Sequence, residues 1–115
     1  MKKENQTVVL KTYELLKVLI PILNKFPRSH KFTLADRIQN LVSDCLELLI
    51  EAYYMPPHYK KPLLFKVNIK LEQLRYYLRL SFESGLYSSK VYRPLMQQID
   101  EIGRMTGGWI KSLKK

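Results

Sequence analysis

Residues 63–82 decide the fold of this chain, and they read LLFKVNIKLEQLRYYLRLSF. On a helix, which turns by about 100° per residue, the apolar side chains of this stretch fall on two opposite sides. The broad side has the i, i+3, i+4, i+7 spacing of a face that packs on a core. It comprises Leu64, Val67, Leu71, Leu74, Leu78 and Phe82. The narrow side comprises Phe65, Ile69, Tyr76 and Leu80.

A helix that is apolar on two sides has to be covered on two sides. We expect the rest of the chain to cover the broad side, and a second copy or another partner to cover the narrow side. Gly103 and Gly107 are four residues apart and share a helix face, where they let another backbone come close. We therefore predict that they join the oligomer interface; tight packing within the chain is the other interpretation.

Three further segments show helical periodicity, separated by breaks at Pro27, Pro56 and Gly85. The predicted helices span about residues 4–25, 33–54, 60–83 and 90–113. Because no segment has the alternation of a β-strand, the sequence predicts an all-α fold. Short breaks between long helices favour an antiparallel up-down-up-down four-helix bundle, a single domain over residues 1–115.

Local signals predict where the helices begin and end. Thr33 is expected to cap the second helix, with Asp36 as the acid of a capping box. Pro62 suits a place in or near the first turn of the third helix, and Gly85 suits its C-cap. Cys45, the single cysteine, stands at an apolar helical position, so we expect a buried small side chain rather than a nucleophile or a disulfide.

The charge of the chain is unusual, because 20 Lys+Arg against 10 Asp+Glu give a net charge of +10. Residues 58–115 hold twelve of the basic and four of the acidic groups. Such an excess favours a polyanionic partner, nucleic acid rather than a membrane surface, although solubility alone is the other interpretation. No apolar run is long enough for a membrane span, and we expect a cytoplasmic protein.

No arrangement of residues predicts catalysis or a bound metal. His30 and His58 fall in connectors with no cysteine or carboxylate at metal-ligand spacing. The sequence has no glycine-rich phosphate loop and no nucleophile-base arrangement. We therefore predict a protein that is not an enzyme and has no cofactor; a small enzyme is the least favoured hypothesis.

Basic residues on rigid helices are the candidates for binding phosphate without reading sequence. Two pairs with i, i+4 spacing qualify, as does the polar side of the last helix, which carries Arg93, Arg104 and Lys111. The residues predicted to bind are Lys66, Lys70, Arg75, Arg79, Arg104 and Lys111. For the arginines of residues 63–82, an ion pair with Glu47 or Glu51 of the second helix is the alternative.

Three stretches together resemble one family. They are FPRSHKFTLADRI (residues 26–38), KLEQLRYYLRLSFESGL (70–86) and DEIGRMTGGWIKSL (100–113). In this order they resemble the accessory variability determinant (Avd) proteins of diversity-generating retroelements. The four-helix-bundle proteins encoded in 23S rRNA intervening sequences form the wider group. The chain departs from the pattern at Thr106, where the family has a leucine.

The resemblance implies a homopentameric barrel of four-helix bundles. Such a barrel binds the reverse transcriptase of the element and its template RNA or DNA, and it supports mutagenic retrohoming without being the polymerase. Carried onto this sequence, the residues expected to bind nucleic acid or the reverse transcriptase include Arg28, Lys31, Arg37, Arg75, Arg79 and Arg104.

A second hypothesis stays open. The chain can be a structural or protein-interaction module of the intervening-sequence group with no direct nucleic-acid role. Its charge would then serve solubility or an acidic protein partner.

Overall fold

The computed structural model describes residues 3–113, and over that range it contains four long helices and no β-strand. The helices are α1 (Lys3–Asn24), α2 (Asp36–Tyr54), α3 (Pro57–Glu83) and α4 (Ser89–Ser112). Each helix packs on the next, and α1 also packs on α4, so the four close around one core with α1 diagonal to α3. The predicted all-α fold with four helices is confirmed.

The broad side of α3 forms the centre of this core. Leu64, Val67, Leu71, Leu74 and Leu78 are each at most 1% exposed. Side chains of this size each contribute about 1.5–3 kcal/mol when they leave water, so this face is a main source of stability. Thr106, the departure from the family pattern, is fully buried in α4, and its hydroxyl donates to the Ile102 carbonyl at 2.8 Å.

Contacts between α2 and α3 pair residues in opposite chain order. Asp44 of α2 contacts Lys70 of α3, whereas Ala52, further along α2, contacts Lys60, which is earlier in α3. Between these two pairs, the Cys45 thiol lies 4.0 Å from a backbone carbonyl of α3. Cys45 is fully buried and forms no disulfide among the described residues, so the prediction of a buried small side chain is confirmed. Burial raises the pKa of its thiol to about 12.

The predicted start of the second helix is wrong. A short helix, Arg28–His30, and a π-helical turn, Lys31–Ala35, precede α2, and no side-chain cap is formed at its first residue. Thr33 therefore lies inside helical backbone, and Asp36 is not the acid of a capping box. The preceding turns explain the difference, because their carbonyls accept the amide hydrogens that a cap would otherwise satisfy.

The third helix also begins earlier than predicted. Pro57 takes its first position, where the missing N–H matters least. Pro62 is therefore the sixth residue of the helix and lies just past the first turn. The C-terminus matches the prediction: Gly85 has φ +79°, and the amide of Leu86 donates to the Ser81 carbonyl at 3.0 Å. This is a Schellman cap, in which glycine adopts the left-handed backbone at little cost.

Within residues 3–113, no helix is both long and apolar enough to cross a membrane. The same residues contain no cluster of three or more His, Cys, Asp or Glu side chains arranged to hold a metal ion.

Candidate nucleic-acid interface and subunit faces

The narrow side of α3 forms an outer apolar face that is largely exposed in the described part of the chain. Its four residues are Phe65 (51% exposed), Ile69 (58%), Tyr76 (63%) and Leu80 (49%). The same helix therefore carries one apolar face in the core and another in solvent, as residues 63–82 predict. An exposed apolar stripe of this length is typical of a contact surface.

A second exposed apolar stripe lies on α1. Leu10, Tyr13 and Ile20 share one side of that helix and are 56%, 47% and 39% exposed. Because α1 is diagonal to α3 in the bundle, the two stripes lie on opposite helices rather than on one continuous surface.

The two predicted interface glycines differ in their surroundings. A Cβ atom on Gly103 would lie 3.1 Å from Arg75 Nη2 and 3.8 Å from Leu71 Cδ1, so α3 of the same chain occupies that side. A Cβ atom on Gly107 would meet none of the described atoms within 4 Å. Gly103 thus lets Arg75 lie close against α4, whereas the space beside Gly107 is open.

Three of the predicted basic residues form ion pairs within the chain. Lys70 Nζ lies 3.3 Å from Asp44 of α2, and Arg75 Nε lies 3.2 Å from Asp100 of α4. Arg75 also bonds Glu72 at 3.0 Å, and Arg79 donates to Glu83 at 2.9 Å, which raises the pKa of Arg79. The alternative pairing of these arginines with Glu47 or Glu51 is not what the structure shows.

The other six predicted basic residues form no ion pair with the described part of the chain. These residues, which we call the unpaired cations, are Arg28, Lys31, Arg37, Lys66, Arg104 and Lys111. They lie in separate places: three on the connector and first turn of α2, one on α3 and two on α4. The connector group is the densest.

The connector group surrounds an aromatic side chain to which the sequence reasoning gave no role. Phe32, in the π-helical turn, is 72% exposed. Arg28, Lys31 and Phe32 line a cleft of about 340 Å³. Phe32 also lines a groove of about 870 Å³ between the start of α2 and the end of α3. In that groove the Arg37 guanidinium lies 5.8 Å from the Tyr77 ring centre. An apolar residue within a polar, basic connector was the signal available in the sequence.

The role of Lys60 was not predicted from the sequence either. Its Nζ donates to the carbonyls of Ala52 at 2.7 Å and Tyr53 at 3.0 Å, and it lies 5.8 Å from the Trp109 ring centre. Burial lowers the pKa of Lys60. A lysine in this position satisfies carbonyls at the C-terminus of α2, where a cation is favoured, so it is structural and not available to a ligand.

Comparison with protein families gives a match over nearly the whole chain. The bAvd-like family matches residues 7–113, which contain the three stretches on which the resemblance was based. A comparison with curated proteins found no match. The chain therefore belongs to the bAvd-like family of accessory proteins.

Proposed function

We propose that this protein is a non-enzymatic accessory protein of a diversity-generating retroelement. It binds the reverse transcriptase and the template RNA or DNA, and it supports error-prone cDNA synthesis in mutagenic retrohoming, in the cytoplasm. The observation that carries the proposal is a net charge of +10 with six unpaired cations on a member of the bAvd-like family. Cations without an acidic partner are available to phosphate, and each phosphate contact releases counterions.

The proposal includes an up-down-up-down bundle that assembles into a homo-oligomeric, pentameric barrel. Exposed apolar stripes on diagonal helices support a head-to-tail contact, in which the α3 stripe of one copy packs on the α1 stripe of the next. A contact between two different surfaces produces a ring when the rotation closes, whereas a two-fold dimer uses the same patch twice. The number five comes from the family resemblance.

Salt dependence of binding tests the nucleic-acid part of the proposal. Affinity for labelled RNA and DNA, measured by fluorescence anisotropy, should fall steeply between low and moderate salt, with a logarithmic slope of about −0.9 per duplex phosphate neutralised. Binding that is absent, or that does not change with salt, would contradict the proposal. It would favour the alternative of a structural module without a nucleic-acid role.

Two matched triple variants separate unpaired from paired cations. The first carries Arg28→Gln, Lys31→Gln and Arg37→Gln; the second carries Lys70→Gln, Arg75→Gln and Arg79→Gln. Both remove three positive charges, so their effect on overall charge is equal. The first should weaken binding strongly and flatten the salt slope by about one unit for each phosphate that is no longer neutralised. The second should weaken binding only slightly, because its three cations already form ion pairs with carboxylates of the same chain. Equal effects would show that only net charge matters.

Copurification with the reverse transcriptase tests the remaining partner. The wild-type chain and both triple variants are expressed with the tagged enzyme and treated with nuclease. Retention after nuclease treatment supports a direct protein contact. If no chain copurifies with the reverse transcriptase after nuclease treatment, nucleic acid was the link between the two proteins, and the proposed direct contact is overturned.

A further inference from the structure

Phe32 lies in a position that folding does not explain. It is 72% exposed, whereas Phe26, six residues earlier in the same connector, is 3% exposed and packs 6.1 Å from the Tyr87 ring. Phe26 packs the connector against the bundle. Phe32 lies in solvent and does not contribute to that contact. Single exposed apolar side chains are common on protein surfaces, so the case for a ligand rests on the basic residues Arg28 and Lys31, which line a cleft together with Phe32.

The backbone holds Phe32 in a defined direction. The residue lies in the π-helical turn Lys31–Ala35, between the short helix Arg28–His30 and α2. Ala35, at the end of the same turn, is 5% exposed and belongs to the core. Single π-helical turns occur often at functional sites. With Phe26 and Ala35 buried on either side, the turn presents Phe32 on a fixed support rather than on a loose loop.

Phe32 lines two clefts, and both clefts contain basic residues. Arg28 and Lys31 line the smaller cleft, and Arg37 lines the larger one, the groove between α2 and α3. The groove also contains the carboxylates of Asp36 and Asp44. Asp44 forms an ion pair with Lys70 at 3.3 Å, so its charge is already compensated, and Asp36 is the remaining carboxylate. An aromatic platform beside available cations matches the chemistry of a nucleotide with an unstacked base.

We propose that Phe32 stacks on an unpaired base, while Arg28, Lys31 and Arg37 hold the neighbouring phosphates. This inference rests on the proposed function and adds to it that the ligand at this end of the bundle is single-stranded. In a duplex the bases stack on each other and offer no free face to Phe32, so a duplex gains only the phosphate contacts. A second copy of this chain is the other occupant, and the solution mass of Phe32→Ala tests for it.

Fluorescence anisotropy with two probes tests the proposal on the full chain. The probes are a labelled single strand of about 15 nucleotides and the same strand annealed to its complement. Phe32→Ala should weaken binding of the single strand by about tenfold, the loss of one stacked base, and change duplex binding by less than about twofold. Phe32→Tyr keeps the aromatic face and should retain single-strand binding.

Tyr54→Ala is the matched control, because Tyr54 is 78% exposed and lies at the opposite end of α2. It should leave single-strand binding unchanged. The proposal is overturned if Phe32→Ala and Tyr54→Ala behave alike, or if Phe32→Ala weakens both probes equally. A lower solution mass for Phe32→Ala would also overturn it, since Phe32 would then be a subunit contact. If the wild-type chain binds neither probe, the proposed function itself fails; if it binds both and only the Phe32 effect is missing, the proposed function stands.

Discussion

The two apolar faces of α3 have similar side chains and different surroundings. Leu71 and Leu74 on the core face are 1% and 0% exposed, whereas Ile69 and Tyr76 on the outer face are 58% and 63% exposed. Both faces follow helical spacing, so periodicity alone does not distinguish them. The core face is covered by other helices, since α2 and α4 both pack on α3, whereas the outer face stays largely exposed among the described residues.

This difference shows that one helix can stabilise a fold and an assembly through separate surfaces. Burial of the core face contributes to the folding of each copy. Burial of the outer face contributes only when copies meet, so its effect depends on protein concentration. The two faces therefore respond differently to the same kind of substitution.

The largest expected effect comes from truncating the core face. Leu74→Ala removes a fully buried side chain and should lower the free energy of unfolding by about 2–5 kcal/mol at every protein concentration. Ile69→Ala on the outer face should cost less than about 0.5 kcal/mol in dilute solution and more as concentration rises. Urea unfolding followed by circular dichroism at several concentrations measures both. If both variants lose the same free energy of unfolding at every protein concentration, the outer face does not contribute to an assembly, and the proposed difference between the two faces is wrong.

A second comparison uses two lysines of α3, one buried and one exposed. Lys60→Met keeps most of the side-chain volume but removes the donor to the carbonyls of Ala52 and Tyr53, so it should cost about 1–3 kcal/mol. Lys66→Met, on the exposed side, should change stability by less than about 0.5 kcal/mol. The same urea experiment checks both. A Lys60 variant as stable as wild type would show that the cap at the end of α2 is dispensable.

The smallest effects are expected on α4, where two glycines differ in what covers them. Gly108→Ala adds a methyl group to open space within a helix and should stabilise the fold by about 1 kcal/mol. Gly103→Ala gains the same helical preference but displaces the Arg75 guanidinium, which lies 3.1 Å from the new atom. Its net gain should therefore be smaller. Thermal unfolding compares the two, and a larger gain for Gly103→Ala would contradict the packing described here.

The four helices and both faces of α3 were predictable from the sequence, because each depends on spacing along a single helix. Gly85 was predictable for a similar reason, since a cap is a local feature. The start of α2 was not. Thr33 and Asp36 have the residue types of a capping box, but a π-helical turn whose carbonyls replace the cap depends on how Phe26 and Ala35 are buried in the finished bundle.

The candidate site was predictable only in its composition. Sequence identified the basic residues, but it gave no means to separate Lys70 and Arg75, which hold carboxylates on α2 and α4, from Arg28 and Lys31, which hold none among the described residues. That separation depends on contacts between helices. Lys60 had no predicted role, because its burial at the end of α2 depends on the close approach of α2 and α3.

Solution mass by light scattering is the most direct test of the central claim, that copies of the chain cover the outer face of α3. The wild-type chain should have a mass several times 13.7 kDa, and five times that value for the pentamer. Ile69→Asp, which places a charge in the middle of the outer face, should reduce the mass to 13.7 kDa while the helical circular dichroism signal is retained. A wild-type protein that stays at 13.7 kDa at high concentration would contradict the claim.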